Sequence, residues 1–224
     1  MSMSRGALLT LTEEMADAVG SSRWGATLKR QLLGEVHWRE WRDLLNVNRM
    51  LRVAKRTVTT DAEGQFAKAA LNSGSGDATE TYYRLLSIRA GNRFYQQAQY
   101  EEYPLSPTIV LQPNVWYEYG DKVQVIPSSP VTELEVVVNH LPQRADLLVD
   151  DSSLVVFPDS YELILAYETA ASMLTKGAAE TQLANELRGS AMALRDRMGQ
   201  DLARRSQHPL RMRAADDPAD WGCY

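Results

Sequence analysis

Near the start of the chain, apolar residues recur at helical intervals with charged residues between them. Thr10 and Glu13 have capping-box spacing, in which each side chain satisfies a free backbone amide of the other residue. Leu11, Met15 and Val19 follow at every fourth position and Gly20 supplies a stop, which predicts a short helix. Ser21-Ser22 reads as a loop. A second helix is predicted from about Trp24, with Trp24, Leu28, Leu32 and Val36 on one stripe and Trp38, Trp41, Leu44 and Leu45 extending it. A tryptophan-rich stripe of this kind reads as core. Asn46 to Ala54 reads as a further turn of helix or an irregular link.

At Arg56 the period changes. Thr57-Val58-Thr59-Thr60 is β-branched, Asp61-Ala62-Glu63-Gly64 is turn-like, and Gln65 to Leu71 returns as a strand. Asn72 to Asp77 is a loop of Ser and Gly. Tyr82 to Arg89 and Arg93 to Tyr100 flank Ala90-Gly91-Asn92, a hairpin signal. A proline-bearing connection runs from Tyr103 through Pro113. Val115 to Tyr119 and Lys122 to Ile126 flank Gly120-Asp121 as a second hairpin. Thr132 to His140 alternates, with Leu134, Val136 and Val138 on one side. The middle of the chain therefore reads as short antiparallel strands of sandwich or barrel type.

Helical patterning returns at Pro158, a residue favoured at a first helical position, followed by Asp159 at the positive end of the helix dipole. Leu163, Ala166, Tyr167, Ala170, Ala171 and Leu174 form a small-residue face ending at Lys176-Gly177. Leu183, Leu187, Leu194, Met198 and Leu202 mark a second long helix from Thr181 to about Arg205. The two form an antiparallel hairpin across Gly177. Pro209 is expected to end the helix, leaving an extended tail. The fold class is α+β. Residues 1–55 and 158–207 supply the helices of one helical domain, 56–157 an inserted antiparallel β-sandwich or barrel-like module, and 208–224 the extended tail.

Composition narrows the function classes. The chain has 224 residues, 44% of them hydrophobic, and a net charge of -5, which suits a folded core and argues against disorder. No apolar run approaches the ~20 residues of a membrane span, and Met1 to Arg5 leads into no apolar stretch of a secretory signal. One cysteine, Cys223, excludes an internal disulfide and a cysteine-based zinc site, and a reducing compartment fits. His37, His140 and His208 show no metal-ligand spacing and read as packing or surface residues. There is no nucleophile elbow, and Gly74-Ser75-Gly76-Asp77 lacks the lysine of a phosphate-binding loop. Asp150-Asp151 and Asp216-Asp217 are paired acids without further ligands at regular offsets. No DNA-reading motif appears. Neither an enzyme nor a cofactor is expected.

Charge is nonetheless regional. Arg23, Lys29, Arg30, Arg39, Arg42, Arg49, Arg52, Lys55 and Arg56 make the first third basic. Glu118, Asp121, Glu133, Glu135, Asp146, Asp150 and Asp151 make the middle acidic. Opposed patches on one chain suit contacts between subunits. Arg204, Arg205, Arg211 and Arg213, with Trp221 and Tyr224 near the end, suit docking onto a partner, as arginines pair with carboxylates and aromatics fill pockets.

Arg23-Trp24 opening a helix that ends in Trp38-Arg39-Glu40-Trp41, the stretch Thr57 to Gln65, and Phe157-Pro158-Asp159-Ser160-Tyr161 before an alanine-rich helical hairpin resemble the head-to-tail adaptor (neck, or connector) proteins of tailed bacteriophages. The long β insert and the loop around Gly74 depart from that pattern. The resemblance implies a structural virion protein located in the neck and assembled in the host cytoplasm. It implies a homo-oligomeric, dodecameric ring beneath the portal protein that extends the DNA channel, lets double-stranded DNA pass without specific binding, and gives the tail or a tail-terminator protein its docking surface. No membrane is involved. The portal is then the implied partner of Arg204, Arg205, Arg211, Arg213, Trp221 and Tyr224. Glu118, Asp121, Glu133 and Glu135 are expected at the channel or between subunits, where carboxylates repel phosphate. Two other readings are a tail terminator or tail-completion protein, and a carbohydrate- or protein-binding β module stacking Tyr82, Tyr83, Tyr95, Tyr100, Trp116, Tyr117 and Tyr119 on its ligand.

Overall fold

A computed structural model describes residues 3–17, 24–72, 80–98, 114–126, 133–158, 160–176 and 181–216; of residues 181 and 205–216 it describes the backbone alone. The chain divides into two compact units, Met1–His37 with Leu148–Tyr224, and Trp38–Leu147.

The first unit is helical. Helix α1 spans Arg5–Met15 and is capped by Ser4, whose Oγ accepts from the Ala7 amide at 3.2 Å. The helix thus starts earlier than the Thr10–Glu13 spacing predicts. Thr10 lies inside it and donates its hydroxyl to the Gly6 carbonyl at 3.0 Å. The earlier start puts Arg5, Leu8, Leu9 and Thr12 on the buried face; Met15 packs half-buried against the helical core and Leu11 is half-buried. Val19 lies outside the described residues. Helix α2 spans Ala26–Val47; its residues through His37 belong to this unit and Trp38–Val47 to the second. Its stripe is buried at Leu32 and Val36, while Leu28 is exposed.

Helix α3 spans Leu163–Lys176 and α4 spans Thr181–Asp216. Helix α3 begins after Pro158 because the chain first turns to bury Phe157 and Tyr161, with Ser160 at a φ of 72°. One apolar cluster joins α2, α3 and α4 through Leu32, Ala170, Ala171, Met173, Leu174, Ala184 and Leu187, with Trp24 and Tyr167 packed on it. Alanines at the α3–α4 seam let the helices approach closely, and three polar ties lock it. Arg195 Nη2 donates to Glu168 Oε1 at 2.7 Å, Arg188 Nη2 to Thr175 Oγ1 at 2.9 Å, and the Tyr161 hydroxyl to Asp201.

The predicted extended tail is corrected in part: α4 continues through Pro209 to Asp216, so residues 208–216 are helical. An interior proline costs about 3 kcal/mol, but it is followed by Leu210, Arg211, Met212, Arg213, Ala214 and Ala215, all good helix formers. Residues 217–224 lie outside the described residues.

The second unit is a sheet. Its strands are β1 (Val53–Thr59), β2 (Gln65–Ala67), β3 (Thr81–Ala90), β4 (Arg93–Gln97), β5 (Val115–Tyr119), β6 (Lys122–Ile126) and β7 (Glu133–Leu141). They form one sheet in the order β1-β7-β3-β4-β5-β6-β2. The hairpins at Gly91-Asn92 and Gly120-Asp121 turn where the sequence predicts them. Of the expected antiparallel sandwich or barrel-like module, the barrel-like form is the nearer: a single sheet curls into a half-barrel, but it is mixed, because β4 and β5 run parallel. Two irregularities in β3, at Tyr82/Arg84 and Leu85/Ser87, bend that strand. The curl lets one sheet cover its own apolar face, so no second sheet is needed. Val58, Phe66, Leu85, Ile88, Tyr95, Trp116, Val123, Val125, Leu134, Val136 and Val138 fill it. After Ala67 the predicted strand gives way to a 3-10 turn, Lys68–Leu71, which buries Leu71 at the sheet's end.

Candidate interaction surfaces

Alternation along β7 turns Leu134, Val136 and Val138 to the core and places Glu133 and Glu135 on the opposite face. Glu135 stands opposite Arg89 of β3 and Thr57 of β1. It takes Arg89 Nη2 at 2.5 Å and Lys55 Nζ at 3.6 Å. The Arg89 hydrogen bond, aided by both cations, holds its carboxyl below the usual range. Glu133 is exposed at the start of the strand.

Glu118 lies two residues beyond Trp116 and so on the core side. It accepts from the Tyr82 hydroxyl at 2.7 Å and from Lys68 Nζ at 2.5 Å. Burial, then the bond to Glu118, raises the Tyr82 phenol far above its ordinary pKa. Asp121, in the adjacent turn, is exposed, and its carbonyl accepts from the Lys68 amide at 2.8 Å. Tyr82 pairs with His140 at the far end of β7 from Glu133 and Glu135. From Glu135 to His140 is about 17 Å along the strand, so Glu118, bonded to Tyr82, stands well away from Glu133 and Glu135.

The basic first third is largely neutralised. Lys29 pairs with Glu13, Arg30 with Asp151 at 2.6 Å, Arg39 with Glu40 at 3.3 Å, and Arg52 with Glu80. Arg42 and Arg144 lie over the ring of Trp38, at 5.5 and 5.4 Å. Arg144 also grips Asp146 through two bonds of 2.9 Å. Arg23 lies outside the described residues. On α4, Arg204 is exposed and 3.9 Å from Asp201. Arg205, Arg211 and Arg213 occupy backbone positions of the same helix, and Trp221 and Tyr224 lie outside the described residues.

Asp151 joins parts distant in sequence. Arg5 Nε and Arg30 Nη2 bind its two oxygens at 2.7 and 2.6 Å, and Arg5 Nη1 also donates to the Leu148 carbonyl at 2.7 Å. The Arg30 bond, then the Arg5 bond, depresses its carboxyl. Gly6 lies against the same turn: a Cβ there would stand 3.0 Å from the Asp151 carbonyl oxygen. His37 and His140 are buried, with Nε2 on the Val156 carbonyl at 2.8 Å and the Leu71 carbonyl at 2.6 Å. A carbonyl partner makes each Nε2 the protonated nitrogen. Among the described residues no group of three or more His, Cys, Asp or Glu could hold a metal ion, and no helix is long and apolar enough to cross a membrane. Tyr95 and Trp116 belong to the core, which removes them from any sugar-stacking face; Tyr100 lies outside the described residues.

The family model described as SU10 adaptor protein matches residues 7–213. The chain belongs to this family of phage head-to-tail adaptors. A comparison with curated proteins finds no match. The match runs from the helical unit through the whole sheet and back. It is a phage structural protein, and its sites are sought among surfaces that meet other proteins.

Proposed function

We propose that this SU10 adaptor forms a ring, dodecameric in the virion neck, that binds beneath the portal, extends the DNA channel and presents the docking surface for the tail. The family match over residues 7–213 carries this reading. The energy of such an assembly comes from interface burial repeated around the ring. Glu133 and Asp121, exposed and acidic, face the channel or a neighbouring subunit, with Glu118 and Glu135 beside them as paired carboxylates. The C-terminal segment with Arg204, Arg205, Arg211, Arg213, Trp221 and Tyr224 binds the portal.

The test is to mix the purified chain with portal particles and measure the mass of the product. A ring bound at one end of the portal is expected, and truncation after Gln207 should abolish most of that binding. A chain that stays monomeric and ignores the portal overturns the reading. If the truncated chain binds the portal as tightly as the full one, the contact lies elsewhere.

A further inference from the structure

Two exposed apolar surfaces on this chain present charged groups of opposite sign, arginines at one and the Asp150 carboxylate at the other. The first is at the end of α2, where Val47 and Met50 are 83% and 76% exposed. Arginines flank them. Arg84 Nη2 and the Tyr83 hydroxyl both donate to Asn46 Oδ1, at 3.0 and 3.1 Å, which fixes Arg84 beside the helix end. Arg42, one turn earlier, is stacked on Trp38, and Arg49 lies between the two apolar residues in sequence. Asp43 offsets part of this charge. A DNA backbone would answer the arginines, but phosphodiester has nothing to cover two bare apolar side chains. An apolar centre with a charged rim has the composition of a protein interface.

The second surface is the turn from Asp150 to Ser153. Val149 and Leu154 flank it, 81% and 59% exposed. Asp150 Oδ1 accepts from the Ser152 amide and hydroxyl at 2.8 and 2.6 Å and from the Ser153 amide at 2.9 Å. These bonds, the Ser152 hydroxyl first, hold its carboxyl low and keep it ionised. The turn is anchored from behind by Arg5 and Arg30 on Asp151. The result is a turn that presents the Asp150 carboxylate between two exposed apolar side chains, the charge of Asp151 being matched by Arg5 and Arg30.

We propose that these surfaces meet between neighbouring copies of the chain, with Val149, Asp150 and Leu154 of one copy seated on Val47, Met50, Arg42 and Arg49 of the next. Because the two patches differ, the contact is head-to-tail, the type that propagates from copy to copy and closes into a ring. The inference rests on the ring reading above and supplies the contact that closes the ring.

The test uses the full chain, with and without portal particles, and compares wild type with Arg49→Glu, Asp150→Arg and the double reversal. Circular dichroism confirms folding, since both residues lie on the surface. Each single reversal should raise the protein concentration needed for ring assembly about tenfold or more, and the double should recover most of that loss. Independently, Met50→Cys with Val149→Cys in a Cys223→Ser background should give a ladder of disulfide-linked multimers, whereas either cysteine alone should stop at dimers. Rings that form normally in both single reversals, with no ladder, overturn this contact and leave the ring reading standing. A disulfide within one chain, or loss of DNA binding with intact rings, also overturns it. If the wild type forms no ring at all, both readings fall.

Discussion

The helical unit and the sheet unit solve the same problem, where to put charge, with different emphasis. The helical unit draws charge inward. Arg5 is buried and held by Asp151 and the Leu148 carbonyl, and Glu168 is buried against Arg195. The sheet unit turns Glu118 inward against Tyr82 and Lys68 and buries Glu40, but lays a ladder of charge, Lys55-Glu135-Arg89, across the outside of three strands. Buried charge ties specific segments together and is costly to disturb. A solvated cross-strand ladder is individually weak and replaceable.

Arg5→Ala should break that contrast open most visibly. It leaves Asp151 with Arg30 alone and the Leu148 carbonyl without its guanidinium. The expected loss is about 2–4 kcal/mol, from two charge-assisted hydrogen bonds of a buried guanidinium whose carboxylate partner is itself partly solvated, read from urea unfolding. A loss no larger than that of a surface substitution would show the pair to be ornamental. Gly6→Ala should come next, at about 1–3 kcal/mol, because its methyl must push against the Asp151 backbone, which lacks the give of a flexible side-chain end.

A smaller effect is expected from acid. Asp151 has a depressed pKa in the folded state, so its contribution is fully present above the ordinary value of 3.8 and is lost as pH falls through the folded value. The unfolding midpoint of the wild type should therefore drop below about pH 4, and Asp151→Asn should flatten that limb while lowering stability at neutral pH. Glu135→Gln should do least. Glu135 is solvated, so the midpoint at neutral pH should barely move. A drop as large as that of Arg5→Ala would erase the distinction between the two units.

The sequence carried its local signals well. Both hairpin turns, the end of α3 at Lys176 and the long α2 follow from periodicity and turn residues within a few positions. What it hid was long-range. Nothing local says that β7 inserts between β1 and β3, so the Lys55-Glu135-Arg89 ladder could not be paired by reading. For the same reason the acids Glu118, Asp121, Glu133 and Glu135 read as one patch, although Glu118 turns to the core side and Glu133 and Glu135 turn away from it. The start of α1 differs from the expected one because Ser4 and Thr10 are chemically equivalent caps, and the earlier one is favoured by long-range ties of Arg5 and Gly6 to the Asp151–Ser153 turn. The candidate residues on α4 were legible as a basic cluster, but the helix through Pro209 was not, because a proline's local penalty is plain while the propensity of the residues after it is diffuse.

The position of β7 also sets a clock. It is the last strand made, yet it sits second in the sheet, between the first strand and β3. From Thr59 to Leu141 is about 80 residues, so at about 5–20 residues per second β1 leaves the ribosome several seconds before its partner exists. For that interval β1 is an exposed sheet edge waiting among other nascent chains. Lys55 and Arg56 lie in the middle of it, and positive charge on an unpaired edge is what discourages the wrong strand from arriving first.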